Sequence, residues 1–383
     1  MLHIGINGRS MFRQLTGVQH YTREVTRALL GLEVDDVRFT VFAGREGRRG
    51  LDEGLPVSAS IIPAGGPLRG IAWEQSLLRR MIKKAGVDVI FNPANVAPLS
   101  PPAPSVVTVH DLAFRLFPEN FSRPFSAYYR VLVPRITRQA TAVIAVSENT
   151  RADLVEHLGL PPEKVTVVAN GVSPEFRRHI HREELQEVRR RYRLPDNFFV
   201  SVASLEPRKN LQAIFRAYRL LTGEITSTES LVLVGAGNRI YTDAGLQDEL
   251  QRARPGTVHA LGYVPIEDLP AIYRLATALV YPSLYEGFGL PVLEAMASGT
   301  PVITSNRSSL PEVAGEAAIL VNPESIEELA GAMDLIATDS GIRNLLVERG
   351  KKRAAGFSWE HTARKTLEVL RQAASGQQGA IPS

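Results

Sequence analysis

Short apolar runs rich in β-branched residues alternate with longer amphipathic stretches along the chain, and this alternation limits the fold more than any other feature. The runs lie at 2–7, 38–43, 87–91, 105–109, 142–146, 164–168, 198–203, 230–234, 258–261, 278–281, 301–304 and 318–321. Near-continuous apolar runs are typical of strands that are covered on both faces of a parallel sheet. Helical stretches between such strands indicate βαβ units. We therefore expect an α/β protein with two Rossmann-like parallel sheets.

The length of 383 residues suits two domains, because a globular domain usually spans about 100–200 residues. We expect residues 1–170 to form one Rossmann-like domain and residues 196–357 the other. The segment 171–195 begins with a turn-forming run and continues with many charges, which favours a linker that carries a solvated helix. We expect the C-terminal helix, 358–374, to pack back towards the first domain. Ligands of parallel sheets bind at the carboxyl ends of strands, so we expect a site in a cleft between the domains.

Composition excludes several classes of protein. The chain has no cysteine, which excludes disulfide scaffolds, cysteine-based zinc sites and thiol nucleophiles. A net charge of +4 is too small to favour nucleic acid, and no nucleic-acid-binding motif accompanies it. The first residues lack the pattern of an export signal, and no stretch approaches the roughly 18 apolar residues of a membrane span. We therefore expect a cytoplasmic protein.

The excess positive charge belongs to the first half of the chain, since residues 1–170 carry 20 basic and 15 acidic side chains. Residues 114–138 mix aromatic side chains with five arginines, and residues 68–84 place cations beside apolar residues. Such surfaces can receive an amphipathic acceptor or touch anionic lipid at the inner face of a membrane. The alternative interpretation is a helix face packed on the core, with a solvated basic rim.

The run YPSLYEGFGLPVLE, residues 281–294, carries the densest chemical signal. A strand ends at Tyr281, and Pro291 suits the first turn of a helix. The start of a helix offers backbone amides to an anion or a polarised hydroxyl. Glu286 and Glu294 stand on either side of this start and would accept hydrogen bonds from sugar or ribose hydroxyls. The alternative is a plain strand, turn and helix with solvated acids. The helix start itself consists of Gly287, Phe288, Gly289 and Leu290.

Polar residues also follow two other expected strands. The run SLEPRKN presents Arg208 and Lys209 together, and adjacent cations can clamp a diphosphate and stabilise charge on a departing nucleotide. The alternative is a pair of exposed basic residues. His110 follows the apolar run SVVTV, where it is either a structural histidine or a group that faces a ligand. Ser147 begins a helix, and we expect it to act as the N-cap.

Several motifs that would indicate a cofactor are incomplete or missing from the sequence. The run LVLVGAGN resembles the beginning of a dinucleotide fingerprint, but Ile240 stands where the third glycine of G-x-G-x-x-G belongs, so NAD is not favoured. There is no Asp-x-Asp motif, no H-E-x-x-H motif and no phosphate-binding P-loop. We therefore expect no metal and no cofactor.

These motifs together resemble those of the retaining glycosyltransferases of family 4, which have the GT-B fold. The run YEGFGLPVLEAMASGTPVITS is similar to their E-x7-E signature, and the resemblance spans essentially the whole chain. The other runs that carry it are SVASLEPRKNL, SLPEVAGEAAILVNPES, SENTRADL, the dipeptide TG and the tripeptide HDL. Within the family the chain is most similar to bacterial mannosyltransferases that build cell-surface polysaccharides such as lipopolysaccharide.

The resemblance implies catalytic roles for four residues. Arg208 and Lys209 match the pair that binds the donor diphosphate. Glu286 matches the carboxylate that contacts the donor sugar, and His110 matches a histidine near the transferred sugar. Glu294 matches the carboxylate that binds the ribose.

The remaining matches belong to donor binding. Gly17 matches a glycine in the loop near the diphosphate and the acceptor, although Thr16 and His20 stand where relatives often have a second glycine and an arginine. Other matched positions lie beside the nucleotide, near its base or at the helix start: Gly235, Gly262, Tyr263, Val264, Gly287, Phe288, Gly289 and Leu290.

The resemblance also implies a reaction. It predicts metal-independent transfer with retention from a nucleotide sugar, with GDP-mannose as the expected donor and UDP-glucose or dTDP-rhamnose as alternatives. The second domain would hold the nucleotide, and the first would hold a saccharide or a lipid-linked saccharide. Two other functions stay open: a non-catalytic two-domain protein that binds a sugar or nucleotide, and an NAD-dependent oxidoreductase.

Overall fold

A computed structural model describes residues 1–12, 17–44, 59–64, 73–224, 229–235, 244–253 and 255–376. The chain forms two compact units, each described here by itself. Unit 1 comprises Met1–Gly171 and Phe357–Ser383, and unit 2 comprises Val172–Gly356. Each unit contains a parallel sheet, and helices lie in most of the described connections between successive strands. The prediction of an α/β protein with two Rossmann-like sheets is therefore confirmed.

The sheet of unit 1 has the order β3-β2-β1-β4-β5-β6-β7 among the described strands. These strands are β1 Leu2–Asn7, β2 Val37–Gly44, β3 Ala59–Ala64, β4 Val89–Asn92, β5 Ser105–Val109, β6 Ala142–Ala145 and β7 Val165–Val167. Every residue of β4 and β5 is buried, in agreement with the mainly apolar sequence of these strands. Strand β3 was not predicted; it pairs in parallel with β2 at the edge of the described sheet and contains Pro63. Proline is unfavourable in strands, so a propensity argument passes over this run.

The helices of unit 1 are α1 Gly17–Leu30, α2 Arg79–Ala85, α3 Ala113–Leu116, α4 Arg123–Gln139, α5 Glu148–Leu158 and, at the end of the chain, α14 Trp359–Ser375. The Ser147 hydroxyl accepts a hydrogen bond from the backbone N–H of Thr150 over 3.0 Å, so the predicted N-cap of α5 is confirmed. Phe114 is buried in the core beside α4, whereas Arg130 and Arg138 are exposed. The aromatic residues of this region thus pack largely inwards and the arginines form a solvated rim.

The C-terminal helix α14 is part of unit 1, where it packs against α1 and lies near β4 and β5. The ring of Trp359 meets the ring of Tyr21 edge to face, with 5.8 Å between their centroids. A Cβ atom added to Gly171 would lie 2.2 Å from the backbone nitrogen of Trp359. The backbone at Gly171 and the start of α14 are therefore in direct contact.

The sheet of unit 2 has the order β10-β9-β8-β11-β12-β13 among the described strands. These strands are β8 Phe198–Val202, β9 Ser230–Val234, β10 Val258–Gly262, β11 Ala278–Tyr281, β12 Val302–Ser305 and β13 Ile319–Val321. The helices of unit 2 are α6 Arg182–Tyr192, α7 Leu211–Glu224, α8 Ala244–Arg252, α9 Leu269–Leu275, α10 Leu290–Ser298, α11 Leu310–Ala314, α12 Ile326–Thr338 and α13 Ser340–Ala355. Apolar residues from β8, β9 and β11 pack against α7 and α12 to form its core.

The segment 172–195 belongs to unit 2, and the prediction of a linker at 171–195 is corrected for this part. Phe176 is buried, and its ring lies 6.1 Å from that of Tyr273. The hydroxyl of Tyr192 donates a hydrogen bond to Asp268 over 2.6 Å. The charges of this segment suggested a solvated connection, but its few apolar side chains anchor it to the unit. Within the described ranges, no helix is long and apolar enough to cross a membrane.

Candidate active site

The strand order of unit 2 places the carboxyl ends of β8 and β11 side by side. From β8 the sheet extends to β9 and β10 in one direction, and from β11 it extends to β12 and β13 in the other. The strand order changes direction at this point, and open parallel sheets bind their ligands at such a point. The loop after β8 carries Arg208 and Lys209, and the loop after β11 carries Glu286.

The turn that carries the two cations is fixed by Asn210. This residue has a φ of 59°, a left-handed conformation that asparagine tolerates better than most residues. Its side-chain amide donates hydrogen bonds to the carbonyl of Pro282 over 3.1 Å and to the carbonyl of Pro323 over 2.7 Å. The carbonyl of Arg208 also accepts a hydrogen bond from the N–H of Leu284 over 2.8 Å. The loops after β8, β11 and β13 are therefore held together.

Both cations converge on the carboxylate of Glu286. The Nη1 atom of Arg208 lies 3.1 Å from one carboxylate oxygen, and the Nζ atom of Lys209 lies 2.6 Å from the other. The hydroxyl of Tyr281 donates a hydrogen bond to Glu286 over 2.8 Å and accepts one from Lys209 over 2.9 Å. Arg208 also pairs with Glu206 over 2.7 Å through its Nε atom. Two acids thus hold two cations in one orientation.

The charge state of Glu286 follows from these contacts. Its side chain is 9% exposed, and burial alone would raise the pKa of a carboxyl group. The charges of Lys209 and Arg208 outweigh burial and lower the pKa of Glu286 to about 2. Burial and the nearby charge of Glu286 raise the pKa of Tyr281 well above its ordinary value, so its phenol stays protonated. The site therefore contains a permanent anion between two cations.

The backbone at 286–288 is held from the loop after β12. The N–H of Glu286 donates to the hydroxyl of Ser308 over 3.1 Å, and that hydroxyl donates to the carbonyl of Glu286 over 2.5 Å. The hydroxyl of Ser309 lies 2.9 Å from the carbonyls of both Glu286 and Phe288. By fixing the backbone of Glu286, these contacts also help to position its side chain.

The predicted helix start is present as the N-terminus of α10. Gly287 and Phe288 belong to the loop that leads into this helix, Gly289 is its N-cap and Leu290 is its first residue. Gly289 has a φ of 104°, and a Cβ atom there would lie 2.6 Å from Leu310. The close approach and the left-handed backbone both require glycine. No side chain caps α10, which leaves its N-terminal end available to a ligand.

Glu294 lies on α10, one turn beyond the helix start, and is buried. The hydroxyl of Tyr273 donates a hydrogen bond to its carboxylate over 3.2 Å. Burial raises the pKa of Glu294 to about 7, against a smaller lowering by the Tyr273 hydrogen bond. Near neutral pH this residue therefore exists both as an acid and as a carboxylate, in contrast to Glu286.

The other predicted donor-binding residues of unit 2 lie at the neighbouring strand ends. The N–H of Gly235, which follows β9, donates to the carbonyl of Gly262 at the end of β10 over 2.7 Å. Gly235 has a φ of 90°, and a Cβ atom there would approach the carbonyl of Ala203 to 3.1 Å. Tyr263 is 62% exposed and Val264 is buried. These residues share the carboxyl edge of the sheet with Arg208 and Glu286. Ile240 lies outside the described residues.

His110 and Gly17 lie in unit 1. His110 follows β5 and is buried, and its Nε2 atom lies 2.9 Å from the carbonyl of Pro93. Because a carbonyl only accepts hydrogen bonds, Nε2 carries the proton. Burial lowers the pKa of His110, so the ring is neutral. Gly17 is the first residue of α1. Three residues on, the pKa of His20 is lowered to about 4 by burial and by the charges of Arg23 and Arg27.

Sequence reasoning missed the residues that support the site. They are Glu206, Tyr273, Tyr281, Ser308 and Ser309. Glu206 lies within the run SLEPRKN and Tyr281 begins the run YPSLYEGFGLPVLE. Both runs were identified as functional, but no contact was predicted for these two residues. Ser308 and Ser309 follow a different strand, and only the strand order shows that they reach Glu286. Within the described ranges, no group of three or more acidic or histidine side chains is arranged to hold a metal ion.

Comparisons with known proteins agree with the geometry of the two units. Residues 15–176 match the model of Glycosyltransferase Family 4, and residues 184–353 match the model of Glycosyl transferases group 1. The chain is 32% identical over 271 residues to O-antigen chain mannosyltransferase B of Escherichia coli, and the match covers 70% of each chain. It is 31% identical to the serotype-specific mannosyltransferase WbdA of Escherichia coli over 70% of this chain and 33% of that protein.

Solved structures show the same fold. HepE of Anabaena in complex with UDP-glucose has a TM-score of 0.76 at 20% identity, with 97% of this chain and 100% of that chain covered. WaaG, a glycosyltransferase involved in lipopolysaccharide biosynthesis, has a TM-score of 0.71 at 16% identity, with 96% and 99% covered.

Proposed function

Because the chain belongs to the family 4 glycosyltransferases and is a glycosyltransferase of the GT-B fold, we propose that it transfers mannose from GDP-mannose to a saccharide of a cell-surface polysaccharide. The relatives support mannose, since two of them are mannosyltransferases, one of which is an O-antigen chain mannosyltransferase. The single observation that carries the proposal is the convergence of Arg208 and Lys209 on Glu286 at the carboxyl ends of β8 and β11.

The two cations suit the leaving group of such a transfer. When the glycosidic bond of the donor breaks, its electron pair passes to a diphosphate oxygen, and negative charge grows on the nucleotide. Arg208 and Lys209 would stabilise this charge, and the N-terminal end of α10 would add its dipole. Glu286 holds both cations before the donor arrives, so little reorganisation is needed during the reaction.

The carboxylates of Glu286 and Glu294 would bind the hydroxyl groups of the donor. Glu286 remains an anion and would accept hydrogen bonds from the sugar, and Glu294 would accept them from the ribose. The acceptor hydroxyl would attack the anomeric carbon on the face that the diphosphate leaves, and its proton would pass to the leaving group. This sequence gives retention and needs no metal. His110 would lie near the transferred sugar and Gly17 near the diphosphate, as the resemblance implies.

Two substitutions test the role of the cations. Arg208→Ala and Lys209→Ala should each lower the turnover of GDP-mannose by about 100-fold or more, the usual effect of losing one donor to a developing anion. Lys352→Ala changes an exposed lysine of unit 2 and serves as the matched control. Full activity in the double variant Arg208→Ala/Lys209→Ala would contradict the assignment. Parallel assays with UDP-glucose and dTDP-rhamnose decide the donor, and assays with chelator decide the need for metal.

The proposal extends to a place of action at the inner face of an anionic membrane, where a lipid-linked saccharide would be the acceptor. Unit 1 exposes basic residues on α2 and α4: Arg79, Arg80, Lys83, Lys84, Arg123, Arg130, Arg135 and Arg138. Each such cation near an anionic surface contributes on the order of 1 kcal/mol. In flotation at low salt, the protein should rise with anionic liposomes and not with zwitterionic ones. Protein that stays at the bottom of both gradients would refute membrane contact.

A further inference from the structure

Unit 2 contains a cavity at the C-terminal end of α10, which lies away from the candidate active site. Its volume is about 340 Å³, and Phe176, Ile180, Arg274, Ser298 and Lys351 are among the residues that line it. Helix α10 has nine residues, so its two ends are about 13 Å apart at the usual rise per residue. The proposed donor transfer uses none of these residues.

Two cations meet in this cavity without a counter-ion. A Cβ atom placed on Gly299 would lie 2.9 Å from Nη1 of Arg274 and 3.3 Å from Nζ of Lys351. The two nitrogens are therefore no more than about 6 Å apart. Among the described residues, no carboxylate forms an ion pair with Arg274 or Lys351. Like charges repel at this distance, and an anion between them would remove the repulsion.

The two other arginines that line the cavity are already engaged. Arg177 donates a hydrogen bond to the carbonyl of Ala354 over 2.6 Å. Arg178 forms an ion pair with Glu184 through both of its terminal nitrogens. These contacts fix the wall of the cavity, whereas no hydrogen bond or ion pair among the described residues engages the side chains of Arg274 and Lys351.

A buried hydroxyl group gives independent support. Ser298 is 4% exposed and lines the cavity, and its Oγ atom has no hydrogen-bond partner within the described structure. Buried polar groups nearly always have a partner, and one without it is destabilising. A ligand with several acceptor oxygens would supply the missing partner.

One simpler interpretation is that the cations only neutralise the C-terminal end of α10. The described hydrogen bonds do not favour it. The N–H of Gly299 donates to the carbonyl of Met296, and the N–H of Thr300 donates to that of Ala295. The carbonyls of Ala295 and Met296 are thus served by the backbone, and in the described part of the chain neither Arg274 nor Lys351 donates a hydrogen bond to a carbonyl of α10.

We propose that this cavity binds a phosphate monoester through Arg274, Lys351 and Ser298. Arginine offers a planar pair of donors and lysine a point charge, a combination that suits a tetrahedral group with several oxygens. The buried side chains of Phe176 and Ile180 would receive the carbon part of the ligand. The volume exceeds that needed for a bare phosphate, which favours an organic ester.

Glycerol 3-phosphate is the probe for a soluble ligand, and vesicles that contain phosphatidic acid are the probe for a lipid. Calorimetric titration at constant ionic strength should show binding to at least one of them. Because the donor site also contains cations, the titration is repeated with the double variant Arg208→Ala/Lys209→Ala, which should bind as the natural protein does. The absence of binding to both probes would overturn the proposal, as would binding that disappears with this double variant.

Variants of the cavity complete the test. Arg274→Gln and Lys351→Gln should each weaken binding by about tenfold or more, the effect of losing one charge-assisted hydrogen bond. Lys352→Gln removes the adjacent charge on the same helix and should change nothing. Ser298→Ala should weaken binding while leaving the thermal unfolding midpoint unchanged or higher, since it removes a hydroxyl without a partner. Unchanged affinity in Arg274→Gln/Lys351→Gln would refute the site.

Discussion

Substitution of Glu294 by glutamine should stabilise the protein and weaken nucleotide binding, a pair of opposite effects that few other substitutions would produce. Glu294 is buried and its pKa is raised from an ordinary 4.5 to about 7. Glutamine keeps the size of the side chain and can still accept the hydrogen bond from Tyr273. It removes only the charge that burial disfavours.

The magnitude follows from the difference between the folded and unfolded states. Below pH 4.5 the carboxyl group is protonated in both states, so it contributes no pH dependence. Between pH 4.5 and about 7 the unfolded chain releases the proton while folded Glu294 keeps it, so stability falls as the pH rises. Above pH 7 the loss reaches about 3 kcal/mol. Glu294→Gln removes this loss, and its advantage should therefore grow from pH 4.5 to about 7 and then stay constant.

Urea unfolding over this pH range measures the effect. Both tryptophans, Trp73 and Trp359, lie in unit 1, so fluorescence does not report on unit 2 and far-UV circular dichroism is the appropriate signal. Glu348→Gln changes an exposed carboxylate of unit 2 and should leave the unfolding midpoint within error of that of the natural protein. GDP affinity is measured on the same samples and should fall about tenfold or more in Glu294→Gln, because a charged acceptor is lost.

Two results would refute this reasoning. If Glu294→Gln were no more stable than the natural protein at pH 8, burial would not be raising the pKa of Glu294. If its stability rose as expected and GDP bound with unchanged affinity, the burial argument would stand and the ribose assignment would fall.

Three further predictions test the packing around the site and in unit 1. Glu286→Gln should destabilise unit 2 by about 3 kcal/mol at neutral pH, and the difference should vanish as the pH falls towards about 2, the pKa of Glu286; a difference that persists in acid, seen by circular dichroism, would contradict the charge argument. Gly289→Ala should cost about 1–3 kcal/mol through its backbone, and in a double-mutant cycle the loss in Gly289→Ala/Leu310→Ala should be smaller than the sum of the two single losses, because the steric contact with buried Leu310 is absent. Gly171→Ala should lower the free energy of unfolding of unit 1, followed by tryptophan fluorescence, by about 1–3 kcal/mol, because the added methyl group meets the backbone nitrogen of Trp359.

The local pattern of apolar and polar residues was enough to predict most of the strands. All twelve expected strands overlap an observed strand by three residues or more. The failures have local causes. β3 contains a proline, and the segment 172–195 carries so many charges that its buried residues, such as Phe176 and Val188, were outweighed. A few buried apolar residues decide where a segment packs, and the average composition of the segment does not reveal them.

The site was predicted less completely, because a sequence shows which residues follow a strand and not which strands are neighbours. Arg208 and Glu286 were each identified, but their 3.1 Å contact depends on β8 lying beside β11. Ser308 was missed for the same reason, since it follows β12 and reaches Glu286 only across the sheet edge. The cavity at the C-terminal end of α10 is lined by residues that are far apart in the chain, and no sequence motif marks it.

The surroundings of Glu286 and Glu294, the two glutamates of one motif, give them very different pKa values. Glu286 faces two cations and keeps its charge at any physiological pH, whereas Glu294 faces a phenol and apolar atoms and titrates near neutrality. Environments that push the pKa values of neighbouring acids apart assign them different tasks. Glu286 holds Arg208 and Lys209 ready for a diphosphate, and its charge must stay fixed for that purpose. Glu294 can lose its proton when a ribose hydroxyl binds to it, so binding of the donor should release a proton from Glu294. Glu286 is already ionised, so the same event should leave its charge unchanged.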